Sequence, residues 1–222
     1  MYSSIILTCY NQIPFQAHLT MACIANITRY TDPQEYELIL VSGEEKFPVH
    51  DDYHVLKIDQ YIKTDLGYTA SMNLGAKKSS GEILVFIQND VFVWEGWLWS
   101  MRNYIEEKVS DCVIPDQVPI PRAFVEEARQ MTYQEAMKYG SRDAGCLMIT
   151  REAFNKMGGW NENLSLLAEK DFYERMGRFG IRQVDTCKVM ITHIMAATNL
   201  YRLHENPEEY DNKMRHDAEI LN

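Results

Sequence analysis

Runs of consecutive apolar residues alternate with helical segments along the first half of the chain. Four of these runs predict buried β-strands, at residues 3–9, 36–43, 54–59 and 81–90. Apolar residues at helical spacing predict one helix within 11–30 and another over 69–80. Strands and helices that alternate in this way indicate βαβ units, so we predict an α/β fold with a mainly parallel central sheet.

The chain from residue 94 to about residue 145 is less regular. It contains the Pro-rich stretch 113–122, which we expect to be a surface loop because proline interrupts strands and helices. Further strands are predicted at 145–150 and 188–194, and further helices at 151–157 and 168–180. The tail from residue 202 is charge-rich, and we predict one helix there that packs on the domain or on a second subunit.

Composition and charge narrow the classes of function. A net charge of −10 argues against a protein that binds nucleic acid by neutralising phosphates. No stretch approaches the roughly 18 to 20 apolar residues that span a bilayer, and the N-terminal segment lacks a signal-peptide pattern, so we expect a cytoplasmic protein. The five cysteines are scattered without CxxC spacing, which favours buried thiols over disulfides or a zinc site.

Acidic residues stand at two places where an α/β sheet could bind a ligand. Asp90 closes the strand 81–90, and Glu169 and Asp171 open the helix 168–180. Ligands bind at the carboxyl edge of such sheets, and two groups of carboxylates in one crevice suit a divalent cation and a proton acceptor. Structural alternatives stay open, because acids are also common in surface turns and in the first turn of helices.

Two long segments carry a family resemblance. The run LGYTASMNLGAKKSSGEILVFIQNDVFV (66–93) resembles the part of family 2 glycosyltransferases in which a helix leads into the strand with the metal-binding acidic motif. The run GCLMITREAFNKMGGWNENLSLLAEKDFYERMGRFG (145–180) is similar to their acceptor-side segment. The resemblance implies one domain of GT-A fold, with a nucleotide-sugar half over 1–90, an acceptor half over 91–200 and a charged tail over 201–222.

The resemblance also implies a metal site. Asp90 corresponds to the last acid of the family's DxD motif and would hold Mg²⁺ or Mn²⁺ on the donor diphosphate, while Gln88 stands in place of the first acid. This departure is shared with rhamnosyltransferase-like members of the family. His193 lies where a late strand often supplies a histidine close to the metal, and His204 is a weaker substitute.

The acidic segment AEKDFYER can be aligned with the family motif in two ways. If Asp171 and Arg175 anchor the alignment, Glu169 takes the position of the catalytic base. If Glu169 anchors it, Lys170 takes that position and Asp171 is the nearest acid. Glu169 is our first choice for the residue that accepts the proton of an acceptor hydroxyl, in a single displacement that inverts the anomeric centre.

Residues at the ends of the first two strands correspond to the family's nucleotide site. Thr8, Tyr10 and Asn11 match the position that flanks the nucleobase. The second strand lacks the family's base-gripping Asp and has Ser42 and Glu44 instead. A UDP-sugar is nevertheless the favoured donor, since UDP is the commonest carrier in the family.

Further residues match the donor-side loop and helix and the acceptor pocket. Gly67 and Asn73 fit the donor side, where small residues let the diphosphate-sugar approach the backbone, and Asn89, at the end of the strand beside the metal residue, is also expected to contact the donor. Trp160 falls where the acceptor pocket has an aromatic residue. The acceptor would be a glycan or another hydroxyl compound, and a homodimer is possible.

Two other functions remain as alternatives. A sugar nucleotidyltransferase of the same fold would need a Gly-rich, basic loop after the first strand, and TCYNQIPF offers neither glycine nor arginine. A non-catalytic module that binds sugar nucleotides or carbohydrate is favoured by the missing first acid of the metal motif.

Overall fold

A computed structural model describes residues 1–9, 14–45, 56–119, 145–194 and 206–221. The strands in these ranges are β1 (Ser3–Cys9), β2 (Tyr36–Ser42), β3 (Gln60–Lys63), β4 (Ile83–Gln88), β5 (Val91–Phe92), β6 (Cys112–Pro119), β7 (Cys146–Thr150) and β8 (Gln183–His193). The helices are α1 (Pro14–Tyr30), α2 (Tyr68–Lys78), α3 (Trp97–Glu106), α4 (Arg151–Lys156), α5 (Ala168–Arg178) and α6 (Pro207–Leu221).

The eight strands form one sheet in the order β3-β2-β1-β4-β7-β6-β8-β5. β3, β2, β1 and β4 are parallel neighbours, as are β6 and β8. β7 runs antiparallel to β4 and β6, and β5 runs antiparallel to β8. The prediction of an α/β fold with a mainly parallel sheet is therefore confirmed, and a single sheet joins strands from both predicted halves.

The strands β1 and β2 are buried at every position, as the apolar runs at their centres predict. α2 packs closely onto β1, because a Cβ on Gly75 would lie 2.6 Å from the Ile6 Cγ2. The small size of Gly75 therefore serves the contact between helix and sheet.

The predicted strand at 54–59 is wrong over its described residues, since 56–59 belong to no strand and β3 begins at Gln60. The Asp59 side chain explains the shift. Its carboxylate accepts the Leu38 backbone N–H at 2.8 Å and contacts the Lys57 Nζ at 2.8 Å. The Asp59 backbone N–H donates to the Leu38 carbonyl at 2.9 Å, so at Asp59 the side chain accepts the Leu38 N–H in place of a backbone carbonyl, and the β2–β3 ladder begins at Gln60.

The predicted loop at 113–122 is also wrong over its described residues, because they form most of β6. The β6–β8 pairing changes register between Pro115 and Asp116, which is where a strand tolerates a missing backbone donor. The helix α3 lies in the stretch expected to be less regular. Its buried residues Trp97, Leu98, Met101 and Ile105 form a helical stripe.

The predicted helix in the tail is confirmed as α6, which packs on the domain through Tyr210, Met214 and Asp217. These residues are spaced as one helical face, and the remaining positions of α6 are more exposed. Across the described ranges, no helix combines the length and the apolar character needed to cross a membrane.

Candidate active site

The carboxyl ends of β1, β2 and β4 meet at one edge of the sheet, because these strands are parallel. Thr8 of β1 lies opposite Gln88 of β4, and Cys9 lies opposite Ser42 of β2. Thr8 and Ser42 are buried, and the Ser42 hydroxyl accepts the Glu44 backbone N–H at 3.2 Å. The structure therefore brings two of the predicted nucleotide-site residues to the edge at which Asp90 follows β4.

Asp90 and His193 form a buried pair at this edge. The Asp90 Oδ1 lies 3.2 Å from the His193 Nε2, and the exposed fractions of the two residues are 3% and 0%. The pair is held by the backbone, because Val91 lies opposite His193 in the β5–β8 ladder and the Asp90 carbonyl accepts the Ile194 N–H at 2.9 Å. Strand pairing thus joins two residues that are far apart in the sequence.

The surroundings of the pair are small and apolar. A Cβ on Gly145 would lie 2.8 Å from the His193 Nδ1, so no larger residue fits beside the imidazole. Burial raises the pKa of the Cys23 thiol, and the negative charge of Asp90 raises it further. The sequence analysis placed Gly145 only at the start of a strand and missed its place in the site. The one feature that could have indicated it is a small residue next to a buried strand.

Asn89 contacts α1. Its Nδ2 donates to the Thr20 Oγ1 at 2.9 Å, and both side chains are buried. This hydrogen bond fixes the end of β4 against α1, and the predicted donor contact of Asn89 stays a prediction. Tyr10, Asn11 and His204, which were predicted for the nucleobase and the metal, lie outside the described residues.

Asn73 of α2 holds the Gly158-Gly159-Trp160 turn. Its Oδ1 accepts the Trp160 N–H at 2.8 Å and its Nδ2 donates to the Trp160 carbonyl at 2.9 Å. Gly158 and Gly159 have φ values of 79° and 78°, which favour glycine, and a Cβ on Gly159 would meet the Asn73 Oδ1 at 2.7 Å. Gly67, at the start of α2, is exposed and has open space around it.

Asp171 is engaged by Arg175 one turn later in α5. The Arg175 Nε donates to the Asp171 Oδ2 at 2.7 Å, and its NH1 donates to the carbonyls of Met157 and Gly159 at 3.0 and 2.6 Å. The guanidinium therefore ties α5 to the glycine turn. Glu169 lies in the first turn of α5 and is 9% exposed.

Trp160 is a core residue in this structure and not an exposed platform. Only 3% of it is exposed, and its ring stacks on Phe172 of α5 with 4.0 Å between the ring centroids. Its indole also meets Phe86 of β4 edge-on at 5.5 Å. The ring joins the sheet to the acidic helix, and the predicted acceptor-pocket role of Trp160 stays a prediction.

A model of the family described as Glycosyl transferase family 2 matches residues 4–181. The chain belongs to this family. A relative from Bacillus subtilis (strain 168), named uncharacterized glycosyltransferase YwdF, is 25% identical over 212 residues, which are 88% of this chain and 76% of the relative. The family match at 4–181 covers all of β1 but its first residue, the strands β2 to β7 and the acidic helix α5.

Solved structures of glycosyltransferases share the fold. TarS of S. aureus superposes with a TM-score of 0.64 at 14% identity, over 91% of this chain and 38% of that one. GalNAc-T7, solved with UDP, GalNAc and Mn²⁺, gives a TM-score of 0.65 at 14% identity, over 87% of this chain and 44% of that one. The chain thus spans about two fifths of the length of these neighbours, and the likeness confirms the GT-A fold.

The pair Asp90 and His193 fits two ligands of one divalent cation. The Asp90 Oδ1 is buried without a hydrogen-bond partner among the described residues, and it faces the imidazole nitrogen. Two ligands about 2.1 Å from an octahedral ion and at right angles to each other lie about 3.0 Å apart, close to the observed 3.2 Å. An oxygen and an imidazole nitrogen together favour Mn²⁺ over Mg²⁺.

No group of three or more metal-binding side chains occurs in the described part of the chain. A cation at this site would therefore need further oxygen ligands from water and from the phosphates of a bound nucleotide. Such partial coordination is usual for Mg²⁺-type sites that handle nucleotides. It also agrees with glutamine at position 88, which supplies no carboxylate at the first place of the motif.

Proposed function

We propose that the chain transfers a sugar from a nucleotide-diphosphate donor, with a UDP-sugar favoured, to the hydroxyl of a glycan or another acceptor. The observation that carries the proposal is the buried Asp90–His193 pair, with 3.2 Å between its oxygen and nitrogen, at the carboxyl edge of a glycosyltransferase fold. The GalNAc-T7 neighbour, solved with UDP and Mn²⁺, supports the choice of donor and cation.

Asp90 and His193 would hold Mn²⁺ or Mg²⁺ against the donor diphosphate. When bound, such a cation neutralises the charge that builds on the departing nucleoside diphosphate. Thr8 and Ser42, together with Tyr10 and Asn11, would contact the nucleoside, and Gly67 would leave the backbone accessible to the diphosphate-sugar.

Glu169 would accept the proton of the acceptor hydroxyl as its oxygen attacks the anomeric carbon. The attack comes from the face opposite the diphosphate, so that one bond forms as the other breaks and the configuration inverts. The engagement of Asp171 by Arg175 supports this assignment, because the ion pair at 2.7 Å already occupies the Asp171 carboxylate. Glu169 then aligns with the base of the family motif.

The direct test is a screen of nucleotide-sugars, scored by released nucleoside diphosphate in the presence of Mn²⁺ and of a panel of hydroxyl acceptors. We expect turnover with at least one UDP-sugar and a product whose anomeric configuration, read by NMR, is opposite to that of the donor. A retained configuration would overturn the single displacement. Nucleotide binding without turnover on any acceptor would favour the non-catalytic binding module.

A further inference from the structure

The helix α5, which carries Glu169, has no cap from its own sequence. Its N-cap residue is Leu167, whose side chain makes no capping hydrogen bond. The first N–H groups of a helix and those just before it need partners, because buried unpaired donors cost free energy. For the three residues that lead into α5, this partner comes from another helix.

Asp217 of α6 supplies that partner. Its Oδ2 accepts the backbone N–H groups of Ser165, Leu166 and Leu167 at 2.9, 2.6 and 2.9 Å. Only 1% of Asp217 is exposed, so the contact is made out of water. Hydrogen bonds to an ionised acceptor are stronger than neutral ones, and a carboxylate at a helix N-terminus also interacts favourably with the helix dipole.

Apolar contacts keep Asp217 in this position. Tyr210 and Met214 lie on the same face of α6 as Asp217, and both are buried against Leu167. Leu166 packs at the margin of the same cluster. The end of α6 is therefore docked on the three residues that lead into the acidic helix, and its buried face has a defined partner within the chain.

We propose that Asp217 is a positioning residue for the base, and that α6 sets the placement of Glu169 by fixing the entry to α5. The proposal rests on the proposed function of Glu169. Glu169 follows Leu167 by two residues, so the three hydrogen bonds set the backbone from which its side chain extends. A displacement of about 1 Å of a reacting group can cost about 100-fold in rate.

The test compares Asp217→Ala and Asp217→Asn with Asp211→Ala, a matched control that removes an exposed acid from the same helix. For Asp217→Ala we expect kcat to fall about 10- to 100-fold, with the donor KM within about two-fold of wild type. Asp217→Asn keeps an oxygen that can accept the same N–H groups and should recover most of that loss. Asp211→Ala should behave as wild type.

Hydrogen exchange gives a readout that does not depend on turnover. In the wild type, the amides of Ser165, Leu166 and Leu167 should exchange slowly, and in folded Asp217→Ala exchange should rise across 165–172. Rapid exchange of these amides in the wild type would overturn the proposal even if Asp217→Ala does not fold.

The kinetic outcomes separate this inference from the proposed function. An inactive Glu169→Gln beside a folded, fully active Asp217→Ala would overturn only the positioning role. A fully active Glu169→Gln would instead remove Glu169 as the base, and the positioning role would fall with it. A loss confined to the donor KM in Asp217→Ala would also contradict positioning of the base.

Discussion

Of the two acids of α5, Asp171 should affect mainly the stability of the protein when it is substituted, and Glu169 mainly its catalytic rate. Asp171→Asn removes the charge that faces Arg175, whose side chain and that of Asp171 are 16% and 12% exposed. Removing one partner of a buried ion pair costs about 3–5 kcal/mol. The retained amide oxygen can still accept one hydrogen bond and the pair is partly exposed, so we expect a free energy of unfolding lower by about 2 kcal/mol.

This loss should lower Tm by about 4–8 °C, since each kcal/mol shifts Tm by about 2–4 °C for a chain of this size. Glu169→Gln conserves shape and is expected to change the free energy of unfolding by less than about 1 kcal/mol, the size of a helix-dipole interaction. It should lower kcat about 100- to 10,000-fold, the range of general base catalysis. The donor KM should change little, because Glu169 acts on the acceptor.

The assay pairs urea or thermal unfolding of each variant with release of nucleoside diphosphate, measured well below Tm. Asp171→Asn should keep substantial activity in its folded fraction. The assignment is refuted by the reverse pattern, in which Asp171→Asn is as stable as wild type but inactive and Glu169→Gln is fully active. Arg175→Gln combined with Asp171→Asn should destabilise less than the sum of the two single changes, since both remove one ion pair.

Three further substitutions test the framework around the site. Gly75→Ala should lower the free energy of unfolding by about 1–2 kcal/mol, because overpacking against the Ile6 Cγ2 at 2.6 Å outweighs the better helix propensity of alanine. In urea unfolding, adding Ile6→Ala to this variant should relieve the overpacking. Burial would raise the pKa of Glu37, but hydrogen bonds from the N–H and hydroxyl groups around it lower it below 4.5 overall. Its stabilisation is thus present above about pH 4.5 and lost as the pH falls through the lower folded-state pKa, so Glu37→Gln should flatten the acid limb of a stability–pH profile. Asn73→Ala removes two hydrogen bonds to the Trp160 backbone and should cost about 1–3 kcal/mol, whereas an unchanged Tm would contradict the role of this turn.

The parallel half of the sheet could be predicted from the sequence because its strands are buried on both faces. β1, β2 and β4 are built around apolar runs at 5–7, 38–41 and 83–87, and their burial bears this out. β3 and β6 could not be predicted in the same way. β3 is an edge strand whose start depends on the Asp59 side chain of the same segment, and β6 contains prolines that the register shift accommodates.

In the candidate site, individual residues could be predicted from the sequence, but the long-range contacts between them could not. Asp90, His193 and the acidic pair could be nominated from the residues and the family resemblance, and the ion pair of Asp171 with Arg175 follows from their helical spacing. The pairing of Asp90 with His193 depends on β5 lying next to β8 in the sheet, which no local sequence pattern shows. The hydrogen bond of Asp217 to the Leu167 backbone joins residues 50 positions apart. It could not be predicted, because a backbone N–H leaves no pattern in the sequence.

The central claim is that Asp90 and His193 bind a divalent cation that in turn binds the nucleotide. The most direct measurement is the calorimetric affinity for UDP with Mn²⁺ and with EDTA, for the wild type, for Asp90→Asn and for a control with an exposed acid removed, Glu107→Gln. We expect Mn²⁺ to tighten UDP binding at least about 10-fold in the wild type and the control, which is about 1.4 kcal/mol. Asp90→Asn should remain folded and lose this dependence. If UDP binding by Asp90→Asn keeps its full response to Mn²⁺ while its Tm falls, the pair is an ion pair that stabilises the fold, and the account of the site is contradicted.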